Sequence, residues 1–86
     1  MKALIAALAL AFAAQAAEQT LTLKVEGWHS KGDAYKTERA VRAVKGVRSA
    51  SADPAKDQLT VTYDDAAASP AAIEKAISEA GYLSRR

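Results

Sequence analysis

The residues best suited to chemistry lie together in one short segment that contains His29, Ser30 and Asp33. Imidazole and carboxylate are ligands for borderline divalent cations such as Cu(II), Ni(II) or Zn(II). Zinc sites usually have three or four protein ligands, whereas His29 is the only histidine in the sequence. We therefore expect at most a weak metal site, formed by His29 and Asp33, with an exposed loop histidine as the simpler alternative.

The same segment also has the spacing of a helix start. In a capping box, a serine side chain accepts a hydrogen bond from the amide three residues later, and the acidic side chain there reaches back. Ser30 and Asp33 have this spacing. Alternatively, Asp33 alone is the N-cap, and in both cases its charge favours the positive end of the helix dipole. The pair is thus a candidate for helix capping as well as for metal binding.

The segment does not predict an enzyme. His29, Ser30 and Asp33 are the residue types of a catalytic triad, but neighbouring positions in one loop rarely give the required geometry. The chain has no glycine-rich phosphate loop and no second histidine. We expect a protein without catalytic activity.

Sulfur is almost absent from the chain, which has 0 cysteines and 1 methionine, Met1. Thiolates are the ligands that Cu(I) and Hg(II) favour. Without Met1, the remaining residues hold no sulfur ligand, and no disulfide can form. The sequence therefore argues against tight binding of soft metals.

The first residues have the pattern of a signal peptide. Met1 and Lys2 precede an apolar run over 3–14, and Ala14-Gln15-Ala16 fits the small-x-small cleavage rule. The run is shorter than the roughly 20 residues of a membrane-spanning helix. We expect a cleaved signal peptide over 1–16, a mature domain over 17–86, a periplasmic or secreted location and no stable membrane anchor.

Hydrophobic periodicity predicts the elements that position the loop. Period-two alternation predicts strands over 21–26 and 59–63, and weaker alternation predicts one over 47–52. Helical spacing predicts one helix over 34–45, ended by Gly46, and a second with Ser69 as N-cap. A last short strand begins at Tyr82. The order β-α-β-β-α-β predicts an α+β fold, a ferredoxin-like sandwich with two helices on one face of a four-stranded antiparallel sheet.

Charge is distributed unevenly along the chain. Basic residues crowd the first helix and its flanks, whereas the second half contains the acidic residues Asp57, Asp64, Asp65, Glu74 and Glu79. This asymmetry suits docking on a charged envelope protein, but a solvated helix face is the simpler explanation. Nucleic acid is not an expected partner, because the sheet presents mainly threonine and lysine rather than stacking aromatics. We expect a monomer.

In order and spacing, several segments resemble the heavy-metal-associated domain family. They are the loop from Gly27 to Asp33, Gly46-Val47, Val61-Thr62-Tyr63-Asp64 and Ala80-Gly81-Tyr82. The chain is most similar to the periplasmic mercuric-ion-binding members. The resemblance implies a soft-metal shuttle whose loop carries Cys-x-x-Cys.

In this sequence the two cysteine positions of the family fall on Ser30 and Asp33, and Trp28 stands where the family has methionine. The resemblance also implies that Tyr82 lies near the loop. Two hypotheses follow. The domain binds a metal ion, at most weakly and through His29 and Asp33, or it is a metal-independent protein-interaction module of the cell envelope.

Overall fold

The computed structural model describes residues 17–86. The predicted signal peptide over 1–16 lies outside the described residues and stays a prediction. Within 17–86, no helix is long and apolar enough to cross a membrane.

Four strands and two helices follow one another in the predicted order. They are β1 (Glu18–Glu26), α1 (Lys31–Arg42), β2 (Val47–Asp53), β3 (Gln58–Asp64), α2 (Pro70–Glu79) and β4 (Leu83–Arg85). The sheet has the order β2-β3-β1-β4, and all three strand pairs are antiparallel. The ferredoxin-like prediction is confirmed.

The core lies between the helices and one face of the sheet. Alternate residues of the two central strands are fully buried, because successive side chains of a strand point to opposite faces. The core residues of these strands and of the helices are Leu23, Val25, Leu59, Val61, Val41, Ile73 and Ile77. The other face of the central strands carries Thr20, Thr22, Thr60 and Thr62, as the sequence predicted.

The boundaries of α1 differ from the prediction of 34–45. The helix starts at Lys31 because Ser30 is its N-cap, and it ends at Arg42 with Ala43 as C-cap. Gly46 was therefore wrongly predicted to end the helix. It has a φ of 95° in the turn that leads into β2, and a Cβ there would lie 2.8 Å from that of Ala67.

The second helix starts as predicted. The Ser69 side chain accepts a hydrogen bond from the Ala72 amide, and Pro70 is the first helical residue. The last strand begins at Leu83 instead of Tyr82, because the Tyr82 amide still donates to the carbonyl of Ile77 at the end of α2.

The outer edge of the sheet is covered by two side chains of α1. Strand β2 is an edge strand, whose outward backbone groups would otherwise be open to pairing. Glu38 Oε2 accepts from the Ala52 amide at 2.7 Å, and Arg42 donates to the Ala50 carbonyl at 2.8 Å. Glu38 and Arg42 also form an i,i+4 ion pair at 3.3 Å. The pair thus occupies backbone groups of the edge as well as linking two helical turns.

Candidate functional site: the loop between the first strand and the first helix

The loop between β1 and α1 begins at Gly27, which has a φ of 110°. This left-handed conformation favours glycine. A Cβ at this position would lie 3.2 Å from Cδ1 of Tyr82. Gly27 therefore allows both the turn out of β1 and the close approach of the tyrosine ring.

Both carboxylate oxygens of Asp33 accept hydrogen bonds. Oδ2 accepts from the backbone amide of His29 at 2.9 Å, and Oδ1 accepts from the hydroxyl of Tyr82 at 2.9 Å. The first bond closes the loop on itself, and the second joins the first turn of α1 to the residue that precedes β4. Asp33 is thus the centre of a network that holds the loop against the domain.

The capping prediction is confirmed, with one change in the second bond. Ser30 Oγ accepts from the Asp33 amide at 3.3 Å. The Asp33 side chain reaches back, as predicted, but to the amide of His29 rather than to that of the N-cap residue. The segment therefore forms a modified capping box that satisfies two backbone donors at the helix start.

A second chain of hydrogen bonds lies beneath the loop. Trp28 Nε1 donates to Thr37 Oγ1 at 2.8 Å, and Thr37 Oγ1 donates to the Asp33 carbonyl at 2.9 Å. Thr37 is fully buried, and Trp28 packs at the margin of the core. Thr37 is on the buried face of α1, and its bond to Trp28 was not predicted from the sequence. The signal was a hydroxyl on a buried face, which requires a partner.

The network changes the acidity of its two titratable members. The pKa of Asp33 is lowered below its ordinary value of 3.8, mainly by the hydrogen bond from the His29 amide and to a smaller extent by the hydrogen bond from Tyr82. The pKa of Tyr82 is raised above 10.0, mainly by desolvation and to a smaller extent by the hydrogen bond to Asp33. Asp33 is therefore a carboxylate and Tyr82 a neutral donor at neutral pH.

Of the two predicted metal ligands, His29 lies in the loop and Asp33 in the first turn of α1. Their direct contact runs through the His29 backbone amide, and the His29 side chain is exposed. Among residues 17–86, no group of three or more histidine, cysteine, aspartate or glutamate side chains is arranged to hold a metal ion. Tyr82, which the family resemblance places near the loop, reaches Asp33, whereas Tyr35 is exposed on α1.

Comparison with known proteins agrees with the fold and the loop position. The heavy-metal-associated domain model matches residues 22–82. A mercuric transport protein periplasmic component from Shigella flexneri is 39% identical, with 98% of this chain and 96% of the relative covered. The Acinetobacter calcoaceticus protein of the same name is 40% identical with the same coverage.

Solved structures give the same result. Oxidized MerP from Ralstonia metallidurans has a TM-score of 0.77 at 35% identity, covering 80% of this chain and 96% of that one. The N-terminal domain of PacS from Synechocystis has a TM-score of 0.71 at 34% identity, covering 78% and 94%. The chain belongs to the heavy-metal-associated domain family. It is related to MerP proteins. Its sequence contains no cysteine.

Proposed function

We propose that this chain is an exported heavy-metal-associated domain that works without a soft metal, as a protein-interaction module of the cell envelope. The observation that carries the proposal is the closure of the loop by Asp33, which accepts from both Tyr82 and His29. These bonds give the loop a defined surface without a bound ion. Soft metals require thiolates, and the chain has 0 cysteines.

The proposed location rests on the relatives and on one contact at the start of the domain. The relatives are periplasmic components by name, which supports a periplasmic or secreted location and a cleaved signal peptide over 1–16. The Ala17 nitrogen lies 3.0 Å from Asp65 Oδ1. Cleavage after Ala16 would turn this nitrogen into an ammonium group beside a carboxylate, a favourable pairing for the new terminus.

The surface beside the loop supports a protein partner. Tyr35 and Leu83 are the exposed large hydrophobic side chains of residues 17–86, with 52% and 66% of their surface accessible. Tyr35 lies in the first half of α1, beside the exposed Lys31 and Lys36. Leu83 pairs with Glu26 on the open face of the sheet, opposite the helices, so it belongs to a different surface. An apolar side chain flanked by lysines on α1 fits a partner with an apolar centre and acidic residues around it.

Site-specific crosslinking in cells tests the proposal. A photoreactive amino acid is placed at position 35, and matched controls carry it at Leu83, on the open face of the sheet, and at Lys75, which is exposed on α2. We expect one discrete crosslinked species from position 35, unchanged by a metal chelator and absent from positions 83 and 75. Equal crosslinking at all three positions, or a species that disappears with the chelator, would contradict a metal-independent interface.

A second candidate function is weak binding of Cu(II), Ni(II) or Zn(II) by His29 and Asp33. It is supported by the 2.9 Å contact that keeps the His29 backbone beside the Asp33 carboxylate. An incoming ion would compete with the hydrogen bonds on Asp33, and two ligands fall short of a usual zinc site. Calorimetric titration of the parent, His29→Ala and Asp33→Asn with each ion tests it. Heat that persists in both variants would rule out this site.

A further inference from the structure

A groove on the open face of the sheet is lined by residues that carry hydrogen-bond donors. Its lining residues are Thr22, Lys24, Gln58, Arg85 and Arg86. Lys24 and Arg85 are cationic residues of one row on this face, Thr22 and Gln58 carry a hydroxyl and an amide, and the Arg86 guanidinium instead contacts Glu74 of α2. The groove lies on the face opposite the core, because Lys24 and Thr22 alternate with the buried residues of β1.

The strand register explains why these donors converge. Lys24 pairs with Gln58 of β3 on one side and with Arg85 of β4 on the other. The three side chains therefore form one row across three strands, and directly opposed residues have Cβ atoms about 4.5–5.5 Å apart. Like charges in opposed positions destabilise a sheet, so the Lys24–Arg85 pair has a cost that a bound anion would offset.

The contacts of the cations leave their charge only partly compensated. Lys24 Nζ donates to the carbonyl of Lys56 at 3.2 Å, and within residues 17–86 it forms no ion pair with a carboxylate. Arg85 pairs with Glu26 at 2.9 Å, at a site where the Arg85 side chain is 68% exposed. Arg86 pairs with Glu74 at 2.7 Å. Exposed ion pairs are weak, so an anion with more than one charge can compete for these groups.

We infer that this groove binds a phosphate group, either as free inorganic phosphate or as part of a small ester or lipid headgroup. A guanidinium group such as that of Arg85 can donate two hydrogen bonds to phosphate oxygens, and Lys24 adds a point charge from the centre of the row. Gln58 and Thr22 supply neutral donors beside it. The groove contains no aromatic side chain, which argues against a nucleobase as the principal ligand.

Titration of the purified protein with inorganic phosphate, followed by amide NMR shifts, tests the inference. Ionic strength is held constant with chloride, and the variants are Lys24→Gln and Arg85→Gln. Lys75→Gln is the matched control, because it removes the same charge from the exposed face of α2. A parallel arm measures sedimentation with phosphatidylglycerol vesicles, with phosphatidylcholine vesicles as reference.

We expect saturable shifts at residues 22–24, 58 and 84–86. The affinity should fall about tenfold in each groove variant and change little in Lys75→Gln, since a charge-assisted hydrogen bond is lost only in the former. Vesicle binding that needs Lys24, without a response to free phosphate, would assign the phosphate group to a lipid. The inference is overturned if neither probe binds, or if Lys75→Gln weakens binding as much as Lys24→Gln.

Discussion

The Tyr82 hydroxyl donates to Asp33 Oδ1 at 2.9 Å, joining residues 49 positions apart in the sequence. Asp33 occupies the second cysteine position of the family resemblance. The Tyr82 hydroxyl therefore donates to one carboxylate oxygen of the residue that stands at a metal-binding cysteine position of the family. The other oxygen holds the His29 amide, so the loop is bound to the domain by side chains instead of by a shared ion.

Acid should weaken this network. The Asp33 pKa is lowered in the folded protein, chiefly by the bond from the His29 amide. Such a group stabilises the fold fully above its unfolded pKa of about 3.9, and this contribution is lost as the pH falls through the lower folded pKa. We expect the difference in unfolding free energy between the parent and Asp33→Asn to be largest near pH 6–7 and to shrink below about pH 4.

Chemical denaturation at several pH values measures this difference. Glu79→Gln is the control, because Glu79 is exposed at the end of α2. A gap between parent and Asp33→Asn that stays constant from pH 7 to pH 2.5 would contradict the role assigned to the carboxylate.

Tyr82→Phe should have the opposite pH dependence. The Tyr82 pKa is raised by desolvation and by the bond to Asp33. Its contribution is therefore present below the unfolded pKa of about 10 and is lost as the pH rises through the folded value. Phenylalanine keeps the ring against Gly27 and removes only the donor. We expect Tyr82→Phe to be less stable than the parent at pH 7, with no additional loss when Asp33→Ala, which leaves no acceptor, is already present.

The double-mutant comparison decides whether the two side chains act through their mutual bond. Additive losses for Tyr82→Phe and Asp33→Ala would show that they act independently, and the network described here would then be wrong.

Ser30→Ala should destabilise the helix start. Loss of a serine N-cap typically costs about 1 kcal/mol, which corresponds to a Tm lower by roughly 4–8 °C in a domain of this size. The control is Ser78→Ala, an exposed change inside α2, which should leave the Tm unchanged or slightly higher because alanine is the better helix former. Equal melting temperatures for Ser30→Ala and the parent would exclude capping by Ser30.

Glu38→Ala should open the outer edge of the sheet. The change leaves the Ala52 amide without the acceptor that lies 2.7 Å away and removes the partner of Arg42. A lost hydrogen bond to a charged acceptor costs about 1.5–3 kcal/mol, and a free edge strand pairs with other chains. We expect a lower Tm and concentration-dependent association in sedimentation velocity. Glu79→Ala is the control, and an equally monomeric, equally stable Glu38→Ala would contradict edge protection.

Local patterns in the sequence predicted most of the fold. The Ser69-Pro70 start of α2 is a signal within neighbouring residues, and alternation over 59–63 marks β3. The start of α1 was predicted three residues late because its first turn, Lys31 to Asp33, is polar and carries no hydrophobic periodicity. Capping by Ser30 was nevertheless visible from its spacing to Asp33.

The contacts between distant segments were harder to predict from the sequence. The approach of Tyr82 to the loop came from the family resemblance, because nothing near Tyr82 in sequence indicates Asp33 as its partner. The bond between Trp28 and Thr37 depends on which helix face turns inward. The capping of Ala52 by Glu38 requires the placement of α1 along β2. Such contacts follow from tertiary packing, which periodicity alone does not determine.

Restoring the thiolates tests whether the loop keeps the family geometry. Ser30→Cys with Asp33→Cys places a thiol pair at the start of α1, where the helix dipole favours the thiolate. Kept reduced, the double variant should bind Hg(II) orders of magnitude more tightly than the parent, and each single variant much less, because soft-metal binding needs both sulfurs. A folded double variant that binds no better than the single variants would show that the loop no longer positions two ligands.

The central claim is that the native loop is held by Asp33, Tyr82 and His29 and does not carry a soft metal. Competition titration of the native protein with Hg(II), and with Cu(I) under reducing conditions, against a chelator of known affinity tests it most directly. We predict that the chelator retains both ions and that amide NMR shifts at residues 27–33 and 82 stay unchanged. A stoichiometric site of submicromolar affinity, with shifts in this loop, would contradict the claim.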